Sequence, residues 1–505
     1  MPPAPPPAAD DGLVRYASPR GRWILVATIL GSGIAFLDGT VVNVALPTIG
    51  RELHAGLASL QWTVNAYTLT LAGLLLLGGS LGDRNGRRRV FVVGVAWFAV
   101  ASLLCALAPN AGVLIAARAL QGVGGALLTP GSLAIIEASF HPEDRSTAIG
   151  AWSGLSGVTT AIGPFLGGWL VEAFSWRLIF LINLPLAAAV IWVSQRHVPE
   201  SRDPAAAPQL DLTGAALAAL GLAGVTYALT AGADRGWTDP LILTTGVGGV
   251  LALAAFVVVE RTSRHPMLPL DIFASRQFTA ANLVTFLVYA ALGGSFFLLP
   301  IELQRVAGYS PLASGVALVP VTLVMLLLSA RAGRLAQRVG PRLPMSLGPL
   351  VAAVGLALLA RIGADGSYLA DVLPGVLVFS LGLSLTVAPL TSTVLAAASA
   401  ERAGVASAVN NDVARVAGLL AVAVLPVAAG ISGSAALTPE VFGAGFRMAM
   451  LLAAGLCAAG GLLAYATIRR PTPIPEEQRR YHEPCTSCPI TAPPPLRQAG
   501  VGSSR

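Results

Sequence analysis

Long apolar runs separated by short polar segments dominate the chain. Runs of membrane-spanning length fall near 23–47, 60–81, 90–108, 112–136, 146–171, 177–195, 211–231, 241–259, 279–301, 312–333, 342–360, 370–396, 403–430 and 444–467. Backbone polar groups in lipid must be satisfied within the segment, so each run is expected to be a helix, fourteen in all. The expected fold class is therefore all-α integral membrane. One run, Ile34 to Pro47 (IAFLDGTVVNVALP), carries a carboxylate, Asp38. In a helix starting near Trp23, Asp38 lies about 15 residues in, or roughly 23 Å at 1.5 Å per residue. That depth is past the middle of a hydrocarbon core about 30 Å thick. A charge there costs on the order of 2.5 to 3.5 kcal/mol, so Asp38 either marks an ion or substrate path or serves only to bond a neighbouring helix.

Composition sharpens this picture. The chain is 55% hydrophobic and 11% charged with a mean hydropathy of +0.72, whereas about 25% of a soluble globular chain is charged. The net charge of +7 comes from arginines lying mostly between apolar runs, with no lysine, which excludes the basic face a nucleic-acid partner would need. With the N-terminus inside, cytoplasmic segments hold 24 of the 32 arginines and outer segments six, leaving Arg118 and Arg415 inside spans. The positive-inside rule then places both termini in the cytoplasm. Residues 1–21 show no cleavable targeting pattern and read as a disordered cytoplasmic tail, as do residues 471–505. The C-terminal segment contains His482, Cys485 and Cys488, one ligand short of a closed zinc site, so no metal is expected. Without lysine no GxxxxGK[ST] phosphate loop exists, which argues against ATP as the energy source.

An internal repeat divides the chain. Gly79-Ser-Leu-Gly-Asp-Arg-Asn-Gly-Arg-Arg is echoed by Gly333-Arg-Leu-Ala-Gln-Arg-Val-Gly-Pro-Arg at an offset of 254 residues, and Asp144-Arg145 by Glu401-Arg402 at 257. Two six-helix bundles, residues 22–198 and 271–470, are thus expected, joined by a segment 199–270 that carries two inserted helices.

Several strings carry chemistry. LIAARALQGVGGA places Arg118 within about 5 Å of Asp38 in depth, which leaves an intramembrane ion pair open. In the loop after the second run, Gly86 suits a tight turn, Asp83 can meet a basic partner or a helix N-terminus, and Arg87 and Arg88 can hold the same closure. Gly150 with Gly154, and Gly163 with Gly167, are small residues four apart that permit close helix packing, and Pro164 permits a bend. Asn410, Asn411, Asp412 and Arg415 form a polar cluster in an apolar run. Asp412 and Arg415, three apart, are able to neutralise each other. Gln61, Asn65, Tyr67 and Gln121, with Asn410 and Asn411, are cavity candidates, although such residues more often make interhelical hydrogen bonds than ligand contacts.

Together, in this order, LDGTVVNVALP, the Gly79–Arg89 loop, the Arg118 string, the string from Gly154 to Gly168 and WRLIFLINLP resemble the fourteen-helix drug:proton antiporter branch of the major facilitator superfamily, over about Trp23 to Arg470. The resemblance implies the major facilitator fold and a proton-coupled antiporter exporting small amphipathic or cationic molecules by alternating access. It implies proton transfer at Asp38 and Arg118 and a cytoplasmic gate at Gly79, Asp83, Gly86, Arg87 and Arg88. An antiporter packing motif at Gly154, Gly163, Pro164, Gly167 and Gly168 follows, and Asn183 and Pro185 are given a structural role. The second loop copy has Gln337 in place of Asp83 and is expected to be the weaker gate half. Asn410 and Arg415 fit the branch pattern, whereas Asp412 is left as a second proton site, a selectivity group or the partner of Arg415. The resemblance also implies no cofactor beyond a proton gradient, no enzymatic activity, a multi-pass protein of a bacterial-type plasma membrane, and a monomer whose partners are substrate, protons and lipid. The alternatives are a dedicated metabolite exporter, an uptake symporter, or a non-transporting sensor on the same scaffold.

Overall fold

The computed structural model describes residues 13–203, 210–263, 266–364, 366–398, 402–433, 436 and 438–469. Residues 1–12, the tail beyond 470 and the His482/Cys485/Cys488 cluster lie outside the described residues. Among the described residues fourteen helices are long and apolar enough to cross a membrane. They are α1 Pro19–Glu52, α2 Leu57–Asn85, α3 Arg87–Ala106, α4 Ala111–Ser139, α5 Pro142–Ala173, α6 Leu178–His197, α7 Leu212–Arg235, α8 Pro240–Thr262, α9 Arg276–Arg305, α10 Pro311–Val339, α11 Arg342–Leu359, α12 Tyr368–Ala396, α13 Gly404–Ala428 and α14 Pro439–Thr467. Their number equals the number of apolar runs, but most extend beyond the run that predicts them.

The ends extend because polar residues flanking the apolar runs cap the helices. Ser18 accepts from the Gly21 amide ahead of α1, and Asn110, Asp211, Asp239, Ser275 and Ser310 do the same at the starts of α4, α7, α8, α9 and α10. Proline follows in the first turn of α1, α8 and α10, where its missing N–H costs nothing. Residues 13–18, expected as disordered tail, are instead tied to the α4–α5 turn. Val14 donates to the Ser139 carbonyl at 2.8 Å, the His141 amide donates to Val14, and Arg15 pairs with Glu143 at 2.8 Å.

Helices α1 to α6 pack on one another, as do α9 to α14, and the two groups meet along α1–α9, α2–α13 and α5–α10. The inserted pair α7–α8 joins from the side. Leu222 of α7 fills the groove between Leu69 of α2 and Leu419 of α13, and Tyr227 stacks near Trp62 at 6.2 Å. In α8 only 11% of the most apolar window is buried, so its side chains face lipid.

The two groups are sealed at the face opposite the α2–α3 turn. There the Leu312 amide donates to Glu172 at 2.9 Å, Gln304 to the Val44 carbonyl at 2.9 Å, and Gln61 to the Val422 carbonyl at 2.7 Å. A methyl group at Gly163, Gly167 or Gly168 would strike Thr40, Val41 or the Pro311–Leu312 backbone. Toward the Arg-rich face of the α2–α3 turn, a methyl at Gly150, Gly154 or Gly157 would meet nothing within 4 Å. The close packing expected of the Gly150–Gly154 pair is therefore absent, because these glycines lie on an open face of α5, whose first half rests on α1 through Trp152 and Ser32. Gly163 and Gly167 lie tightly against Thr40 and Val41 of α1.

Candidate functional site

Asp38 lies just past the midpoint of the 34-residue α1 and is 1% exposed. Arg118, also 1% exposed, reaches it from α4, with Nη1 donating to Asp38 Oδ2 at 2.5 Å. The second carboxylate oxygen, Oδ1, accepts from Gln121 Nε2 at 2.8 Å and from Asn183 Nδ2 at 3.3 Å. Gln121 and Asn183 both also donate to Ser102 Oγ, at 2.8 and 3.2 Å. Arg118 gives a further bond from Nη1 to Gln121 Oε1 at 2.6 Å and one from Nε to the Thr63 carbonyl at 3.0 Å. Its guanidinium lies over the Tyr67 ring, 4.3 Å from the centroid. One carboxylate thus ties together α1, α2, α3, α4 and α6.

The energetics follow from this satisfaction. A buried ion pair persists only when its remaining donors and acceptors are met, and removing one partner typically costs about 3 to 5 kcal/mol because the other charge is stranded.

Arg118 is the member of this network that lines a cavity. A space of about 240 Å³ is bounded by Phe36, Thr40, Asn43, Tyr67, Arg118 and Arg415 among others. It adjoins a larger one of about 390 Å³ that both helix groups line, with Asn43, Asn65 and Thr68 on one side and Tyr289, Phe296, Met325 and Arg415 on the other. The larger volume, mostly apolar with a few polar groups, is typical of a small-molecule site.

The other predicted residues divide. Asn65 and Tyr67 line the cavities. Gln121 is instead a fully buried member of the Asp38 network, and Gln61 is spent on the cross-bundle bond to Val422. Asn410 donates to Asn282 and Thr285 of α9 at 3.1 and 2.8 Å, which makes it an interhelical tie. Asn411 bonds the Ser407 carbonyl of its own helix. Asp412 and Arg415 form no salt bridge among the described residues, and Asp412 Oδ1 and Arg415 Nε have no hydrogen-bond partner. The two act on each other only through space, because Arg415 turns into the cavity rather than onto Asp412.

The α2–α3 loop is built from its own half. Asp83 Oδ1 accepts from Arg87 Nε and Nη2, each at 2.8 Å, rather than from a partner across the seam. The Arg87 amide donates to Ser201 and the Arg88 amide to Glu200, at 2.9 and 3.1 Å. Gly86 has φ +114°, and a Cβ there would meet the Glu200 carboxylate, so the turn demands glycine on two counts. Gly79 stands beside Pro130 of α4, 3.7 Å from where its Cβ would lie.

Two participants escape sequence reasoning, as does one buried acid outside the site. Ser102 is an ordinary small polar residue in an apolar run, and only the fold brings it to Gln121 and Asn183. Asn183, assigned a structural role, touches Asp38 directly. Glu302 is a lone acid in the apolar run LLPIELQ; it is fully buried on α9 with neither carboxyl oxygen hydrogen-bonded. Among the described residues no group of three or more His, Cys, Asp or Glu could hold a metal.

Comparison with known proteins supplies the lineage. The chain is 39% identical to the puromycin resistance protein pur8 of Streptomyces alboniger over 91% of its own length and 93% of that protein. It is 34% identical to the multidrug resistance protein Stp of Mycobacterium tuberculosis, covering 83% of this chain and 77% of Stp. It is 35% identical to a methylenomycin A resistance protein of Bacillus subtilis, over 86% of this chain and 92% of that one. The crystal structure of a bacterial homolog of the human lysosomal transporter Spinster, inward-facing and unoccupied, shares the fold at a TM-score of 0.66 and 17% identity, covering 91% of this chain and 100% of that one. The sequence pattern of the Major Facilitator Superfamily matches residues 28–423. With fourteen membrane-spanning helices, this chain is a multi-pass membrane protein and belongs to the Major Facilitator Superfamily.

Proposed function

We propose that this protein is a drug-efflux transporter that exchanges an inward-moving proton for an outward-moving small molecule, with Asp38 as the group that takes and releases the proton. The observation that carries the proposal is the buried Asp38–Arg118 pair, beside a cavity that both bundles line. The relatives named for puromycin resistance, multidrug resistance and methylenomycin A resistance support export as the direction. The arginine bias supports a cytoplasmic position for the α2–α3 turn and for both termini, in a bacterial-type inner membrane. On that orientation the sealed face is periplasmic and the cavity is accessible from the cytoplasm, where cargo is collected.

The transport cycle follows from the contacts. With Asp38 ionised and paired to Arg118, the cavity accepts cargo. The bundles then close along the first half of α5 and open along the second, and a proton from outside displaces Arg118 from Asp38. The loop around Asp83 and Gly86 is the closure element on the cytoplasmic side, and the protein works as a monomer, since cavity and proton site lie within one chain. The test is uptake of puromycin and methylenomycin A into everted vesicles with an acidic lumen. Uptake that collapses with the pH gradient, and that Asp38→Asn abolishes while the protein remains folded, is expected. Uptake indifferent to the gradient rules out proton exchange.

A further inference from the structure

We infer that the central cavity is an anion-selecting site, in which Arg415 holds the acidic end of an amphipathic aromatic cargo. The inference rests on the proposal that this cavity is the cargo site of an exporter, and it specifies the charge of what binds there.

Charge is the first ground. Among the described residues two cations, Arg118 and Arg415, line the smaller cavity and Arg415 also lines the larger one, while no carboxylate lines either. Arg118 is neutralised at its back by Asp38. Arg415 forms no salt bridge among the described residues and its Nε has no hydrogen-bond partner; Asp412, three residues earlier on α13, acts on it only through space and does not line the cavity. A guanidinium opening on a confined, low-dielectric space with no carboxylate in the wall attracts an anion and repels a cation, and its planar fork fits a carboxylate or phosphate bidentately.

Unsatisfied polar groups are the second ground. Asn65 is fully buried, lines the cavity and leaves both Nδ2 and Oδ1 without a partner, and Asn43 Oδ1 is likewise unmet. Buried amides of this kind are ordinarily satisfied, so donors and acceptors stand ready for a ligand. The rest of the wall is apolar and aromatic, with Tyr289, Phe296 and Phe297 on α9. A cargo that uses all three features has a flat apolar body, a hydrogen-bonding edge for Asn65 and an acidic group for Arg415. Of the amphipathic or cationic molecules expected from the sequence, the cavity favours amphipathic ones that are acidic.

The test is equilibrium binding to the purified protein in detergent, with no proton gradient, so that a failure of proton coupling leaves it unaffected. The probes are three fluorescent ligands on one ring system: anthracene carboxylate, its neutral methyl ester, and anthracenylmethylammonium. The wild type is expected to bind the carboxylate on the order of tenfold tighter than the ester, and the ammonium most weakly. Arg415→Gln should erase the difference between carboxylate and ester while leaving ester affinity in place, whereas Arg415→Lys should keep the order. Retained carboxylate preference in Arg415→Lys separates a lost charge from a damaged fold. Ammonium binding equal to or tighter than carboxylate binding in the wild type, no measurable carboxylate binding, or a preference that survives Arg415→Gln overturns the assignment.

Discussion

The molecule places an aspartate and an arginine within membrane-spanning helices twice, and treats them oppositely. In the first bundle Asp38 and Arg118 face each other across two helices, with Gln121, Asn183, Ser102 and the Thr63 carbonyl completing their bonds. In the second bundle Asp412 and Arg415 sit one turn apart on a single helix and, among the described residues, form no salt bridge or hydrogen bond with each other. The same residue types thus yield a satisfied, helix-tying network on one side of the seam and a cation without a salt bridge lining a cavity on the other. The difference teaches that an intramembrane charge is defined by what meets it. A charge already met can be released by a proton, and a charge left unmet is available to a ligand. The two sites adjoin through one cavity wall that both arginines share.

Arg118→Lys against Arg415→Lys breaks the comparison most severely. Lysine cannot serve Asp38, Gln121 and the Thr63 carbonyl at once, so Arg118→Lys is expected to lower gradient-driven transport about 100-fold, which is a barrier change of about 2.7 kcal/mol. Arg415→Lys keeps a point charge in an open cavity and is expected to cost less than about tenfold on the same scale. Flux measured in everted vesicles at matched expression reads both, and equal losses would show that the two arginines do the same work.

The two ends of α5 sharpen the mechanical side of the comparison. Gly163→Val forces a side chain into Thr40, and overpacking of this kind costs typically about 1 to 3 kcal/mol, visible as a lower melting temperature in detergent. Gly154→Leu enters open space, so melting should be unchanged. Transport should still fail in Gly154→Leu, because the cytoplasmic closure required by alternating access brings that surface into contact. Normal transport by Gly154→Leu would show that this part of α5 never packs.

Glu302→Gln has the smallest expected effect. The Glu302 carboxyl is buried with no partner for either oxygen, so it has no ion pair to lose, and a neutral isostere should shift stability by less than about 1 kcal/mol. Thermal melting and flux close to wild type are expected. Loss of flux with unchanged melting would reveal a third charged site that belongs in the comparison.

How much of this was legible in the residues depends on what sets each feature. Helix number follows from bilayer thickness, which acts on every apolar run alike. The Asp38–Arg118 pair follows from depth, because two opposite charges at one level in a bundle have strong reason to meet. Gln121 was legible in principle, since it lies three residues after Arg118 and shares its helix face. The roles of Ser102 and Asn183 depend on how α3 and α6 pack behind α1, which no local pattern in either run specifies. Gly154 and Gly163 carry the same small-residue signal, and only the conformation of the protein decides which of them is in contact. At Arg415 the spacing to Asp412 permitted a pair, but the side chain's direction into the cavity was settled by the neighbouring helices.

Coupling at Asp38 is tested most directly by comparing two fluxes of the same Asp38→Asn protein in proteoliposomes. One is exchange of labelled for unlabelled substrate without a gradient, and the other is accumulation of substrate driven by a pH gradient. The wild type should perform both. Asp38→Asn should retain exchange, because cavity and gates are intact, and lose accumulation, because no group remains to trade the proton. Accumulation at the wild-type level by Asp38→Asn would contradict the account.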